Sequence, residues 1–359
     1  MNIVKATTKY ETWLSQHTPT IASDLQRKHK EMAKKPFPFL RATFYRWLEI
    51  WPELCPELST APRVMGVGDL HVENFGTWRD SDGRLVWGIN DFDEAQPYPY
   101  TMDLVRLATS AMLAAQEDNL VMRPKDAIAK ILKGYTAGMR EGGRPFVLAE
   151  DHDWLRRIAE SRLRDPVEFW RKMDELPTLR GEPPEGVRQA IEAALPQRGL
   201  KYRLARRFAG LGGRGHPRYV AIADYAGGKL AREAKLLGPA TIFWLTPDRA
   251  PGPSQYTRLL KLAVRCPDPF LSLRGGWIVR RLSPYCSRIE LTCLAGNRGE
   301  LPLLEAMGWE TANIHLGTKR QCNVVLDHLR GRKANWLEHA AKAMAAAVEK
   351  DWRAWKDQS

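Results

Sequence analysis

Two short polar clusters hold the side chains best suited to chemistry. The first is Gly68-Asp69-Leu70-His71-Val72-Glu73-Asn74, and the second is Ile89-Asn90-Asp91-Phe92-Asp93-Glu94. They straddle a predicted hairpin, which brings several carboxylates and an amide to one end of two strands. Mg²⁺ prefers hard oxygen ligands, commonly one or two carboxylates completed by phosphate oxygens and water. An Asp five residues before an Asn, followed by an Asp on the next strand, suits that need. Taken singly, Asp80, Asp82, Asp91 and Asp93 read more simply as turn and cap acids. The set together does not.

The elements that must carry these clusters follow from periodicity and breakers. Residues 8–52 read as helical, with apolar faces from Leu25, Met32, Phe39, Phe44, Trp47, Leu48 and Trp51 around a break at Pro36 and Pro38. Val64 to Val67 and Arg84 to Ile89 are strand-like runs, with a turn signal at Asp80 to Gly83. Helix returns after Pro99, where Leu104, Leu107, Ala108, Ala111 and Ala115 share a face, and continues with interruptions to about Ala194. From Arg206 to Pro284 the chain is strand-rich. A hairpin turns at Ala226-Gly227-Gly228 between runs at 219–225 and 229–237, a helix spans 254–266, and a second hairpin turns at Gly275-Gly276. Helices follow Glu300, the last with Trp336, Ala340, Met344, Val348 and Trp352 at four-residue spacing.

Composition bounds the class. The 359 residues carry 55 Lys+Arg against 42 Asp+Glu, a formal charge of +13, with 44% hydrophobic and 9% aromatic residues. Such a chain folds and favours anionic partners. No apolar run reaches the roughly 18 residues of a membrane span, and Met1 to Thr8 lacks a signal-peptide pattern. The cysteines number five and form no C-x-x-C pair, so neither a disulfide framework nor a structural zinc is expected, and a reducing cytoplasm fits best. One basic segment stands apart: Lys201 to Pro217 holds five basic residues, four glycines and no acid.

The pattern G-D-x-H-x-x-N, then a strand and D-F-x-x, then the D-L of Asp103-Leu104, resembles the aminoglycoside-phosphotransferase branch of the protein-kinase-like fold. The resemblance implies that Asp69 accepts the proton of a substrate hydroxyl, and that Asn74 and Asp91 hold Mg²⁺ against the phosphates of ATP. Asp103 then matches the structural Asp of the next helix, and His71 a loop-bracing imidazole. Asp93 stands where the kinase motif has Gly, and becomes a further candidate metal ligand. More narrowly, the chain resembles an uncharacterised bacterial family, domain of unknown function 2252. Met32-Ala33, Pro36-Phe37-x-Phe39-Leu40-Arg41, the two acidic motifs and Arg232-Glu233-Ala234-Lys235 carry that likeness.

A kinase-like site also needs a small β-rich nucleotide lobe, which normally comes first in the chain. Only 67 residues precede Gly68, and they read as helix. Gly210-Leu211-Gly212-Gly213-Arg214-Gly215 is formally G-x-G-x-x-G. The dinucleotide-binding form opens a helix, whereas here a strand follows, so that reading drops out. A glycine loop between strands is the kinase form, whose N–H groups cover phosphates. Lys235 on the following strand then resembles the phosphate-binding Lys. Glu233 shares its strand face and could replace the Lys partner that helix 254–266 lacks. Arg232 points to the other face.

The expectation is therefore an α+β, protein-kinase-like two-lobed fold, circularly permuted, mostly helical with a small antiparallel nucleotide-binding sheet. Residues 1–199 would form the first part of the catalytic lobe, 200–284 the nucleotide lobe, and 285–359 the completing helices. The expected activity is ATP- and Mg²⁺-dependent transfer to a hydroxyl-bearing, small-molecule acceptor. Asp69 would be catalytic, Asn74, Asp91 and Asp93 would hold metal, and Gly210, Gly212, Gly213, Gly215 and Lys235 would bind nucleotide. The alternatives are nucleotide binding without transfer, AMP transfer, or nucleic-acid binding through Trp336, Trp352, Trp355 and scattered arginines. For those tryptophans, core packing is the better explanation.

Overall fold

Pro36 decides how the N-terminal helical stretch divides. The residue before a proline is driven towards extended backbone, and Lys35 sits at φ −153°, ψ 158°. Helix Ala22–Lys34 therefore stops there, and Pro36 opens helix Pro36–Ala42 at its first position, where no N–H is needed. With Ile3–His17 and Phe44–Leu54, these helices bury the aromatic faces read from the sequence. The computed structural model describes residues 1–117, 122–161, 163–208, 215–246, 248, 250–289, 291 and 299–358. It is an α+β protein, about half helical, with small antiparallel sheets.

Two of those sheets carry the polar clusters, with one departure from the expected pairing. Leu85–Ile89 pairs with Phe75–Arg79 rather than with the run at Val64. Asp80 closes the turn between them, its carboxylate accepting from the Asp82 and Arg84 amides at 3.1 and 2.9 Å. Arg63–Gly66 pairs with Gln96–Pro99 instead. Behind these sheets runs helix Tyr100–Glu117, buried on almost every side. Helices Pro124–Glu141 and Glu300–His315 pack close enough to require glycine at the crossing. A Cβ on Gly134 would lie 1.8 Å from the Glu305 carbonyl oxygen, and one on Gly308 would lie 2.0 Å from that of Ile131.

The third sheet has five antiparallel strands in the order Arg203–Arg206, Arg218–Tyr225, Gly228–Leu236, Trp277–Leu282, Ser272–Arg274. Because Arg203–Arg206 pairs with Arg218–Tyr225, the glycine-rich segment joins two neighbouring strands. Helices Pro166–Asp174 and Val187–Glu192 pack on this sheet through Phe169, Met173, Val187 and Ile191. The sheet's own apolar core therefore reaches back before residue 200. The helix expected at 254–266 spans only Tyr256–Leu262. Its chain leaves the helix at Ala263 so that the Val264 amide can bond the Asn313 carbonyl at 2.9 Å. Trp336 and Trp355 are buried in the main core, and Trp352 packs against it partly buried. Among the described residues, no helix is long and apolar enough to cross a membrane.

Candidate functional site

Asp103 shapes the first acidic loop. Fully buried on helix Tyr100–Glu117, it accepts from the amides of Val67 and Gly68 at 2.7 and 2.9 Å and bonds His315 Nε2 at 3.0 Å. Gly68 turns the chain at φ +89°, and a Cβ there would come within 2.8 Å of the Glu94 backbone oxygen. The turn thus needs glycine twice over. Downstream, His71 and Asn74 cap each other across a short 3₁₀ turn, Val72–Asn74. His71 Nδ1 accepts from the Glu73 amide at 3.2 Å, and Asn74 Oδ1 accepts from the His71 amide at 2.6 Å. Burial, with Arg41, Arg106 and Arg288 nearby, pushes the His71 imidazole well below its ordinary range, so it is neutral at pH 7. Its position is that of a loop brace.

Asp69 leans on Arg106, a residue outside the acidic motifs. Arg106 Nε donates to Asp69 Oδ1 at 2.9 Å, Nη2 donates to the same oxygen, and Nη2 also reaches the Leu40 carbonyl at 2.9 Å. The guanidinium lies 4.9 Å from the ring centroids of both Phe44 and Trp47 and is fully buried. Such a clamp fixes the carboxylate while part of it stays open, its side chain 21% exposed. A charged residue inside the apolar run Leu104-Val105-Arg106-Leu107 was the available signal, since arginine is rarely buried without a partner.

The second loop meets the five-stranded sheet. Lys235 Nζ lies 3.5 Å from Asp91 Oδ1 and pairs closely with Asp93. Partial desolvation inside the cavity opposes the charge of Asp91, whose side chain stays 47% exposed, but Lys235 and Arg218 outweigh it and hold the carboxyl well below the usual carboxylate range. Glu233 does share the face of Lys235, yet it does not pair with that lysine. Fully buried, it takes Arg207, Arg218 at 3.3 Å and Arg280 at 2.6 Å. Three guanidinium groups leave it no vacancy for the lysine, whose partners come instead from the acidic loop. Despite burial, Arg280, Arg207 and Arg218 hold the Glu233 carboxyl well below its ordinary range. Arg232 faces the opposite way, its guanidinium 4.6 Å from the Phe270 ring centroid.

The two loops and the sheet line one cavity of about 530 Å³, onto which Asp69, Asn74, Asp91, Asp93 and Lys235 open. Of the described residues, nine cationic and six carboxylate side chains surround it, so the space favours anions. Among the described residues, no three His, Cys, Asp or Glu side chains gather as a self-sufficient metal cage. Gly210, Gly212 and Gly213 lie outside the described residues. Gly215 is placed against helix Ala22–Lys34, its carbonyl accepting from the Ile21 amide at 3.2 Å. Glu94 ties the site to the next segment, accepting from the amide and hydroxyl of Thr241 at 2.7 and 2.6 Å.

Residues 20–167 match the model of a family described as "Uncharacterized protein conserved in bacteria (DUF2252)". The match covers less than half of the chain and shows that this stretch is similar to the family. It takes in helix Pro36–Ala42, both acidic loops and Asp103, and ends before Arg232 to Lys235. Searches of curated proteins and of solved structures found no match.

Proposed function

We propose that the chain is an ATP-dependent phosphotransferase acting on a hydroxyl-bearing small molecule, with a circularly permuted kinase-like architecture. The observation that carries this reading is the meeting of Lys235, from the five-stranded sheet, with Asp91 and Asp93, in a cavity that also contains Asp69 and Asn74. A phosphate-binding cation and metal-binding carboxylates at one point are what phosphoryl transfer requires.

Asn74 and Asp91 would hold Mg²⁺, which when bound neutralises charge on the phosphate chain. They fit a cation that completes its shell with phosphate and water rather than with a protein cage. Asn74 Oδ1, already accepting from His71, has a second lone pair to offer. Asp93 is the further ligand candidate, and its pair with Lys235 must open for it to serve. Lys235 attracts the phosphate chain, with the amides of the glycine segment, Gly210, Gly212, Gly213 and Gly215, as its proposed complement. Asp69, oriented by Arg106, accepts the acceptor hydroxyl proton. Positioning and electrostatic stabilisation supply most of the acceleration in such sites, so one proton acceptor suffices.

The test is Asp69→Asn assayed with Mg·ATP against a panel of small hydroxylated acceptors, with products resolved as ADP or AMP. Transfer should fall by roughly 10²–10⁴ while nucleotide affinity is nearly unchanged. An unaltered rate overturns the assignment of Asp69, and AMP as product replaces phosphoryl transfer with nucleotidyl transfer.

A further inference from the structure

Two guanidinium groups in this cavity share a single carboxylate. Arg41, near the end of helix Pro36–Ala42, pairs with Glu73 Oε2 at 2.6 Å, and Arg288 lies 3.5 Å from the same oxygen. The Arg41 side chain is only 8% exposed, and its Nε has no hydrogen-bond partner among the described residues. Arg41 also lines a small side cavity with Asp69, so it flanks the proposed proton acceptor. The neighbouring imidazole of His71 is neutral and offsets nothing. Glu73 cancels one of the two positive charges and leaves the other.

The other cations described around the cavity are engaged elsewhere, and Arg164, Arg265 and Arg281 lie over the rings of Phe169, of Trp78 and Phe92, and of Phe270. Arg207, Arg218 and Arg280 converge on Glu233, while Lys235 meets Asp91 and Asp93. The nucleotide phosphates therefore have their own cation on the sheet side, in Lys235. The Arg41–Arg288 pair stands instead beside the loop of Asp69, bound to Glu73 of that loop. Guanidinium groups match phosphate and carboxylate geometry through paired N–H donors, and an oxyanion between these two would relieve their repulsion.

We propose that the acceptor itself carries an oxyanion, a phosphate or a carboxylate, which Arg41 and Arg288 hold while its hydroxyl faces Asp69. This rests on the phosphotransferase reading and names its substrate class. In the transfer, the hydroxyl oxygen forms a bond to the terminal phosphorus of ATP. The bond from that phosphorus to the bridging oxygen breaks, its electron pair leaves with ADP, and the hydroxyl proton passes to Asp69. An acceptor whose only charges are positive, such as a polyamine sugar, would be repelled.

The experiment is thermal unfolding of the full chain with glycerol, glycerol 3-phosphate, ribose 5-phosphate or glycerate at millimolar concentration. Each probe is measured with and without saturating Mg²⁺ and a non-hydrolysable ATP analogue. The proposal expects at least one anionic probe, but not glycerol, to raise the midpoint, and to do so with the analogue present. Phosphate and carboxylate probes separate the two oxyanions. Arg288→Gln should weaken that effect about tenfold or more and leave the analogue's own shift intact. Arg41→Gln should act alike. Because Arg41 is buried, its loss could unfold the chain, so the more exposed Arg288 carries the test. No shift with any anionic probe, a shift abolished by the analogue, or one unchanged in Arg288→Gln overturns the proposal. If the analogue alone gives no shift, the phosphotransferase reading fails, while an Arg288-dependent anion shift still establishes the oxyanion site.

Discussion

Replacing Asp103 by alanine should loosen the loop that carries Asp69 more than any surface change, and by an amount the structure sets. Its two oxygens satisfy the Val67 and Gly68 amides at 2.7 and 2.9 Å and face His315 at 3.0 Å, all at a fully buried position. Removing the carboxylate strands both N–H groups and the imidazole away from water. At roughly 1–3 kcal/mol for each of these three unsatisfied buried groups, the loss is about 3–9 kcal/mol. Asp103→Asn keeps one oxygen, so it should cost about half as much. Chemical denaturation gives the total, and hydrogen exchange over residues 64–70 shows whether the loss is local, since protection falls where opening becomes easier. Exchange at Val67 and Gly68 should rise sharply in the alanine variant, together with loss of any Mg·ATP-dependent stabilisation. A destabilisation below about 1 kcal/mol with unchanged exchange would refute the view that Asp103 holds the loop.

Two further outcomes follow from the charged interior. Glu310 is buried against Gly88, accepts from the Ile89 amide at 3.2 Å and from Asn313 at 2.7 Å, and burial pushes its carboxyl up to about 7. A carboxyl that binds its proton more tightly when folded favours the native state below its unfolded pKa, near 4.3, and loses that advantage as pH rises to about 7. Stability should therefore fall by roughly 4 kcal/mol across that window, and the slope should flatten in Glu310→Gln, as denaturation at several pH values would show. Lys235→Met removes the foremost cation that keeps Asp91 ionised. The native state then gains less from Asp91 ionisation, so stability lost as pH drops below about 4 should shrink relative to wild type in acid titration. The same variant should lose Mg·ATP-dependent stabilisation.

Much of the frame was legible because it depends on local rules. Pro36 marks a helix boundary through the backbone of Lys35, the Ala226-Gly227 turn reverses the chain between two strands, and the spacing of Trp336 to Trp352 gives the buried face of the last helix. The acidic clusters stood out because several carboxylates and Asn74 crowd into two short segments that strands then bring to one cavity. Pairings between distant segments were harder to read. Nothing local says that Val64 pairs with Tyr98 rather than with the strand at Leu85, because both runs are short and apolar. Glu233 looked available to Lys235 on face alone, but three arginines from two strands and a loop claim it. Helix Tyr256–Leu262 ends early because a tertiary bond from Val264 to Asn313 outcompetes its continuation. The clamp of Arg106 on Asp69 likewise depends on two segments meeting in space.

The most direct test of the central claim is thermal unfolding with ATP, with and without Mg²⁺, on wild type and on Asp91→Ala. A ligand that binds only the native state raises stability by RT ln(1 + [L]/Kd), about 2.7 kcal/mol when ligand exceeds Kd a hundredfold. The account predicts a Mg²⁺-dependent rise in the midpoint that Asp91→Ala abolishes. An unchanged midpoint in wild type at millimolar Mg·ATP would contradict it.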